Sequence, residues 1–468
     1  MSLMVSISGI RGIIGESLTP NVISDFTQAY ATLLRHKRSE NSDSKSPLVV
    51  LGRDTRPSGI TLMEFVQSTL VQSGCNVINL GVATTPSVEL AVLDEKAAGG
   101  IILSASHNPL EWNALKLLNE LGEFLTADES NRLLSIYHSK KFHLAQWNQF
   151  GMTVPRDEIN DFHIRKVLSI PSVDTTKLAK RNFKILIDAV NGAGSKIIPS
   201  LCRALGFDNL VEISCKPTGI FPRNPEPIEE NLIETQGLTA YHQCDFGIVV
   251  DPDVDRVCFI SEDGSLFGEE YSLVAAANFW LKHHRGPVVS NLSSSRALKD
   301  IALKHEVPYF ASKVGEAHVI EKMKAVNAVI GGEGNGGVIL PDCHYGRDAL
   351  VGIVLFLASF DEFLSQYPTA RVSDFKKSLP HYEMAKQKVK LNQEIQIDSV
   401  LDRIANKYQT VSENTVSTED GVKIDFPDKW VHLRKSNTEP IIRIYAEAKT
   451  KSIADTLADS FRNEIIST

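Results

Sequence analysis

The run "IVVDPDVDRV" (248–257) places Asp251, Asp253 and Asp255 at alternate positions directly after an apolar stretch. Three carboxylates this close repel one another unless a cation lies among them, and hard oxygen ligands of this kind suit Mg²⁺ or Ca²⁺. The spacing imitates a calcium-binding EF-hand loop, with Glu262 at its twelfth position. However, Arg256 stands where that loop needs glycine, and strand-like runs flank it instead of helices. It also imitates an aspartyl-phosphate motif with Asp251 as nucleophile, although Asp255 stands where that motif usually has Thr or Val.

Three other stretches carry chemistry-bearing residues. In "ILSASHNPLEWNALK" (102–116), an apolar run leads into Ser104, Ser106, His107, Asn108 and Pro109, with Lys116 ten positions beyond Ser106. These are ordinary turn residues, but a serine hydroxyl at the carboxyl end of a strand is also where ligands gather in open α/β sheets. "VIGGEGNGGVIL" (329–340) formally matches the dinucleotide pattern Gly-x-Gly-x-x-Gly, yet it opens a strand-like run ended by Pro341 rather than a helix. A supple backbone presenting Glu333 and Asn335 suits sugar hydroxyls, which both donate and accept hydrogen bonds; a plain glycine-rich hairpin fits the same loop. In "LRKSNTEPIIRIY" (433–445), Arg434, Ser436, Asn437, Thr438 and Arg443 combine guanidinium groups, hydroxyls and backbone N–H groups. That set binds phosphate, or makes a solvated hairpin turn.

The elements that must position these loops alternate between strand-like and helix-like patterns. "LVVLG" (48–52), "NVINLG" (76–81) and "GGIILSAS" (99–106) are separated by segments of helical spacing. The alternation restarts at "FKILIDAVNGAG" (183–194) and again at "GPVVSNLSSSRALKDIALKHEV". Strand–helix–strand alternation predicts βαβ units with mixed or parallel sheets. The last segment, through "PIIRIYAEA" and "KSIADTLADSFRNEI", predicts a small α+β domain. The expected domains are 1–160 with the serine loop, 161–265 with the acidic loop, 266–372 with the glycine-rich loop and 373–468 with the arginine loop. The polar stretch "RHKRSENSDSKSP" (35–47) is expected to be an exposed loop.

The bulk numbers bound the reading. The 468 residues are 43% hydrophobic and 23% charged, ample for several cores, and a formal net charge of -8 argues against nucleic acid as the main partner. Six cysteines lie far apart with no Cys-x-x-Cys pair, and read as buried thiols of a reducing compartment. No run approaches the ~18 apolar residues of a membrane span, and no secretory leader pattern is visible. The expected compartment is the cytoplasm, with no membrane partner.

Taken together, a hydroxyl, a divalent-cation site, a sugar site and a phosphate clamp describe phosphoryl transfer on a phosphosugar. At this point the sequence resembles the α-D-phosphohexomutase family. "SASHNP" is similar to its phosphoserine loop T-A-S-H-N-P, "DPDVDR" to its metal loop D-x-D-x-D-R, "GEGNGG" to its sugar loop and "RKSNTEP" to its phosphate loop R-x-S-x-T-E-P. "SGIRG" (8–12) and "GRDTRPSG" (52–59) resemble two further motifs. The resemblance spans essentially the whole chain and implies an α/β protein of four-domain phosphohexomutase architecture. Three similar mixed-sheet α/β domains and a small C-terminal α+β domain then surround a central cleft. It further implies that Ser106 carries a phosphoryl group, and that one Mg²⁺ per chain is held by that group and by Asp251, Asp253 and Asp255. A hexose 1,6-bisphosphate is then the intermediate and activator.

On this reading Ser106 and His107 act at the reacting centre, and Arg11, Lys116 and Arg256 neutralise charge, with Lys116 also placed to shuttle a proton. Gly337 stands where many members have histidine, so His318, His344 or Arg347 are candidate replacements. The "GEGNGG…GRDA" pairing is most similar to the archaeal-type branch assigned to glucosamine phosphate, with glucose or mannose phosphate as the alternative. The expected partner is a small phosphosugar, and the expected state is monomer or homodimer. Readings from other classes are an aspartyl-phosphate phosphatase acting through Asp251, a dinucleotide-dependent dehydrogenase, and a sugar-phosphate binding protein without turnover.

Overall fold

The computed structural model describes residues 3–7, 9–40, 45–390, 397–435 and 441–466. These form two compact units, one of residues 1–272 and 336–375, the other of residues 273–335 and 376–468.

In the first unit a seven-stranded sheet runs in the order Met4–Ser6, Gly9–Ile13, Trp112–Leu118, Gly99–Leu103, Leu48–Arg53, Asn76–Val82, Thr153–Pro155. The last four strands are mutually parallel, while Trp112–Leu118 runs antiparallel to both of its neighbours. Gly99–Leu103 is buried on both faces, as its unbroken apolar run requires. The helix Pro20–Glu40 covers one face through Phe26, Tyr30, Leu33 and Leu34. Tyr30 spans the sheet, donating its hydroxyl to Leu118 O at 2.5 Å. The helix Thr85–Asp94 starts where Thr84 caps it, accepting from Ser87 N at 3.0 Å, with Pro86 in its first turn.

A second sheet in the same unit orders Val257–Ser261, Phe246–Val250, Ile185–Asp188 and Leu210–Ile213; only the first strand is antiparallel. The helix Ala349–Gln366 packs on it. Phe356 stacks on Phe259 with ring centroids 3.8 Å apart and meets Phe246, Phe267 and Phe375.

The second unit contains the parallel strands Tyr309–Ser312, Val288–Asn291 and Ile330–Glu333. It also contains an antiparallel five-stranded sheet, ordered Glu383–Lys390, Ile441–Ala448, Trp430–Lys435, Val422–Asp425, Thr415–Ser417. The helices Ile397–Gln409 and Lys451–Ile466 close the core of this sheet with Ile404, Leu457 and Phe461. The α/β portions followed by an antiparallel C-terminal sheet are the architecture expected from the alternation.

Two expectations need correction. Residues 35–40 are helical, not loop, because Pro20–Glu40 continues through them. Its polar side is anchored: Arg35 Nη2 donates to Gly74 O at 3.3 Å, and Lys37 pairs with Glu120 and Glu129. The polarity is that of a solvent-facing helix side rather than of a turn. One described helix, Ala349–Gln366, does reach membrane-spanning length and apolarity, with mean hydropathy 1.5, but 78% of it is buried inside the protein. Its all-round apolar character is that of a core helix. The six cysteines are free; five are buried and Cys215 is half-buried.

Candidate active site

Ser106 follows the buried strand Gly99–Leu103 and adopts φ +49°. A non-glycine residue in the left-handed region is held there by its surroundings. Ser104 Oγ accepts from Ser106 N at 3.0 Å and donates to Asp54 Oδ2 at 2.7 Å. Arg56, fully buried, does most of the holding. It donates Nη2 to Ser106 O and Asn108 O (both 2.6 Å), Nη1 to Pro109 O (2.5 Å) and Trp112 O (3.2 Å), and Nε to Asp54 Oδ2 (3.1 Å). Every guanidinium N–H donor position is thereby turned onto the serine loop or its acidic support. Arg11, on the strand Gly9–Ile13, adds Nη1 to Asn108 Oδ1 at 2.6 Å.

The acidic loop follows the strand Phe246–Val250 and faces Ser106. Ser106 Oγ donates to Asp251 Oδ2 at 2.9 Å. Asp251, Asp253 and Asp255 are completely buried, and each presents a carboxylate oxygen within 4.8 Å of the others. Lys116 and Thr85 share Asp253 Oδ2, each at 2.6 Å. Arg347 donates Nη2 to Asp255 Oδ2 at 2.6 Å. Val254, between the two acids, is a β-branched residue at φ +63°, a conformation costing about 1–3 kcal/mol. Helix starts on either side brace it: Thr85 N donates to Asp253 O at 2.9 Å and Ala349 N to Val254 O at 3.2 Å.

Burial, reinforced by the Asp255 and Asp253 charges, pushes the Asp251 carboxyl well above its ordinary range. Burial acts the same way on Asp253, but Lys116 and Thr85 more than reverse it and hold that carboxyl down. Burial alone would lower Lys116, yet Asp253 and Asp255 outweigh it and raise its pKa. Among the described side chains, Asp253 Oδ1 and Asp255 Oδ1 are buried with no hydrogen-bond partner. Orphaned carboxylate oxygens beside a crowded third acid are the donor set a hard divalent cation satisfies, so the residues present fit Mg²⁺.

The remaining predicted residues fall as follows. His107 Nδ1 lies 3.3 Å from Ser106 Oγ and Nε2 3.8 Å from Glu226 Oε1; desolvation, then Arg256 and Arg11, push its pKa well down. Arg256 donates its backbone N to Asp251 Oδ1 at 3.3 Å, while its guanidinium lies 3.7 Å from Asp255 Oδ1 and 3.6 Å from Glu226 Oε1. Lys116 Nζ is drawn to Asp253 Oδ2 and also lies 3.4 Å from Thr85 Oγ1. Of the candidate replacements for a loop histidine, Arg347 reaches the acidic loop, whereas His344 is bound to Asp348 (Nε2 to Oδ2, 3.1 Å) and does not reach Ser106.

In the second unit Glu333 ends the strand Ile330–Glu333. Its Oε1 accepts from Asn291 Nδ2 at 2.7 Å and Gly315 N at 2.9 Å, and Asn335 Nδ2 donates to its Oε2 at 3.4 Å. His318 lies in the first turn of the helix Glu316–Val326. Arg434 and Arg443 stand directly opposite each other on antiparallel strands, and Asp420 Oδ2 lies 2.9 Å from Arg434 Nε. Like charges placed opposite are unfavourable, and the Asp420 carboxylate offsets that repulsion on the Arg434 side. Ser436, Asn437 and Thr438 lie outside the described residues.

The structure thus gathers Ser106, His107, Lys116, Arg11, Arg256 and the three aspartates in one unit, and Glu333, Asn335, Arg434 and Arg443 in the other. Sequence reasoning missed Arg56, Asp54 and Thr85. Arg56 lies inside the quoted "GRDTRPSG", but its loop-holding role depends on contacts some fifty residues away.

Comparison with known proteins agrees with this geometry. Residues 4–144, 161–264 and 268–375 match the phosphoglucomutase/phosphomannomutase alpha/beta/alpha domains I, II and III, and residues 384–464 match the C-terminal domain of the same family. A phosphoglucomutase/phosphomannomutase of Thermococcus kodakarensis is 36% identical over 451 residues, covering 95% of this chain and 94% of the relative. A phosphoglucosamine/phosphogalactosamine mutase of Sulfurisphaera tokodaii is 30% identical over 467 residues, 99% of each chain. In fold, a phosphoglucomutase/phosphomannomutase family protein of Burkholderia thailandensis superposes with TM-score 0.83 at 24% identity, covering 99% of this chain and 98% of that one. With all four domains matched in order and relatives aligned almost end to end, the chain belongs to the α-D-phosphohexomutase family and is a phosphohexomutase.

Proposed function

We propose that this phosphohexomutase interconverts the 1- and 6-phosphates of glucose and mannose through a phosphorylated Ser106. The observation that carries the reaction is the 2.9 Å approach of Ser106 Oγ to Asp251 beside two orphaned carboxylate oxygens. In the first half-reaction the P–Oγ bond of phosphoserine breaks, a P–O bond forms to the free sugar hydroxyl, and that hydroxyl's proton is exchanged for the one Ser106 Oγ takes up as it is freed. This yields a hexose 1,6-bisphosphate. In the second half-reaction the other phosphate returns to Ser106, so phosphorus, charge and protons balance over the cycle.

The residues divide the work. One Mg²⁺ per chain, held by Asp251, Asp253, Asp255 and the serine phosphate, would supply charge neutralisation at the transferring phosphoryl group. Lys116 fixes Asp253, Arg347 fixes Asp255, and Arg11 and Arg56 fix the serine loop, so the donor is held in place before substrate arrives. His107, at 3.3 Å from Ser106 Oγ, handles the proton on that oxygen. Glu333 and Asn335 take sugar hydroxyls, and Arg434 and Arg443 take the non-reacting phosphate.

The relative of 36% identity, named for glucose and mannose phosphates, supports that choice of sugar. A glucosamine phosphate preference, the expectation from the sequence alone, is the second reading; the 30% identical relative supports it. Measuring kcat/KM for the 1-phosphates of glucose, mannose and glucosamine, with the matching 1,6-bisphosphate as activator, decides. The first reading expects glucose or mannose to lead by at least about tenfold, and a glucosamine lead overturns it. The proposed compartment is the cytoplasm, and the proposed state is monomer or homodimer.

A further inference from the structure

Beside the acidic loop, but not touching its carboxylates, lies a buried polar chain that the reaction does not use. Thr84 Oγ1 donates to Ser87 Oγ at 2.7 Å, and Ser87 Oγ lies 2.8 Å from His163 Nδ1. His163 Nε2 donates to Asp348 Oδ2 at 2.8 Å, and His344 Nε2 donates to the same oxygen at 3.1 Å. His344 Nδ1 faces Glu89 Oε2 at 3.4 Å. Glu89 and Ser87 both belong to the helix Thr85–Asp94, so the hydrogen-bonded chain leaves that helix at Ser87, passes through Asp348 and ends at His344, which approaches the same helix at Glu89 without a hydrogen bond.

Two other readings of this cluster fail. Ser87, His163 and Asp348 have the connectivity of a nucleophilic triad, but all three are completely buried, so no substrate reaches the hydroxyl. Cys343, His344 and Asp348 are grouped closely enough for a metal. But Asp348 is already saturated: Oδ2 accepts from two histidines and Oδ1 from Leu350 N at 2.8 Å and Val351 N at 3.4 Å. Burial also pushes the Cys343 thiol far up, so it stays protonated.

What the chain does join is two helix starts. Asp348 caps the helix Ala349–Gln366, and Thr84 caps the helix Thr85–Asp94. Those starts supply the braces on the acidic loop: Thr85 N to Asp253 O and Ala349 N to Val254 O. The residues next to each cap also hold a carboxylate, Thr85 at Asp253 and Arg347 at Asp255. Gly346 makes room for the link, since a Cβ there would lie 1.9 Å from Glu89 Oε2 and 2.8 Å from His344 Cε1. Moving one helix start relative to the other would shift Asp253 against Asp255 and release the strained Val254.

We propose that Asp348, bridged by His163 and His344, is a positioning residue that fixes the spacing of the acidic loop, and so sets its affinity for a divalent cation. The inference rests on the reading of that loop as a cation site. Loss of a partner that contacts a metal's ligands, as Thr85 and Arg347 contact Asp253 and Asp255, typically costs about 10–100-fold in affinity or activity, and Asp348 acts through these, so the low end of that range is expected.

The test is Asp348→Asn, which keeps the helix cap but replaces an accepting oxygen with a donor. Calorimetric titration of the full chain with Mg²⁺ is expected to show affinity about tenfold weaker than wild type. The Mg²⁺ concentration for half-maximal activity should rise in step, while KM for the phosphosugar stays within twofold. Equal Mg²⁺ affinity in a folded Asp348→Asn overturns the inference. If that variant fails to fold, Ser87→Ala, at the far end of the chain, decides by the same titration, with about threefold weaker binding expected and none refuting. A wild-type chain that binds no Mg²⁺ overturns the cation-site reading and the inference with it. A wild-type chain that binds Mg²⁺ without mutase turnover overturns the proposed reaction alone, and the titration still decides the inference.

Discussion

Replacing Arg56 by lysine keeps a positive charge behind the serine loop and removes part of its hydrogen-bonding fork. Arg56 makes five hydrogen bonds, four to loop carbonyls and one to Asp54. A lysine ammonium offers three donors, so at least two buried acceptors lose their partner. Each such loss costs about 1–3 kcal/mol, or about 2–6 kcal/mol together. If only the lower figure falls on the reactive loop conformation, kcat drops about 30-fold, since about 1.4 kcal/mol is tenfold in rate. KM should change little, because Arg56 is buried behind the loop and faces its carbonyls. The assay is steady-state mutase kinetics alongside thermal unfolding of the same preparation. An Arg56→Lys enzyme with wild-type kcat and wild-type stability would refute the claim that this guanidinium holds the serine in place.

Other outcomes follow from the same geometry. Mg²⁺ should stabilise the first unit by about 2.7 kcal/mol at a hundred times its dissociation constant. A chelator should reverse the resulting rise in Tm, and Asp253→Asn should abolish it; a Tm indifferent to Mg²⁺ contradicts the site. His432 is buried between Ser293 and the Asp420 carbonyl, and burial depresses its pKa to about 3. Between pH 6.5 and about 3 the unfolded chain therefore binds a proton that the folded chain does not, so stability falls as pH falls. The slope contributed is up to about 1.4 kcal/mol per pH unit. Acid unfolding of the second unit in His432→Gln should lose that part of the slope; an unchanged profile would sink the assignment.

Much of the site was legible because its chemistry is local. Asp251, Asp253 and Asp255 are adjacent on one loop after one strand, so their spacing survives in the sequence. Ser106 is likewise a single-loop feature, and Arg434 and Arg443 lie nine positions apart on two consecutive strands. What stayed hidden is the support. Arg56 looks like any arginine in a turn until the chain brings Ser106, Asn108, Pro109 and Trp112 around it. Thr85 is an ordinary first helical residue and Asp348 an ordinary helix cap in sequence, and only tertiary packing sets these two helix starts on either side of Val254. Lys116 was readable as a cation but not as one already committed to Asp253. For the fold, strand–helix alternation located the sheets, whereas polarity at 35–40 mimicked a loop because a helix's solvent side carries the same residues.

The central claim, that Ser106 is the phosphoryl carrier, is tested most directly by exposing the enzyme to hexose 1,6-bisphosphate labelled in its phosphates and mapping the label by peptide mass analysis. The account predicts label on Ser106 of the wild-type chain. It predicts none on Ser106→Ala, which should lose turnover by several orders of magnitude while still binding the phosphosugar. Label on Asp251, or full turnover without Ser106, would contradict it.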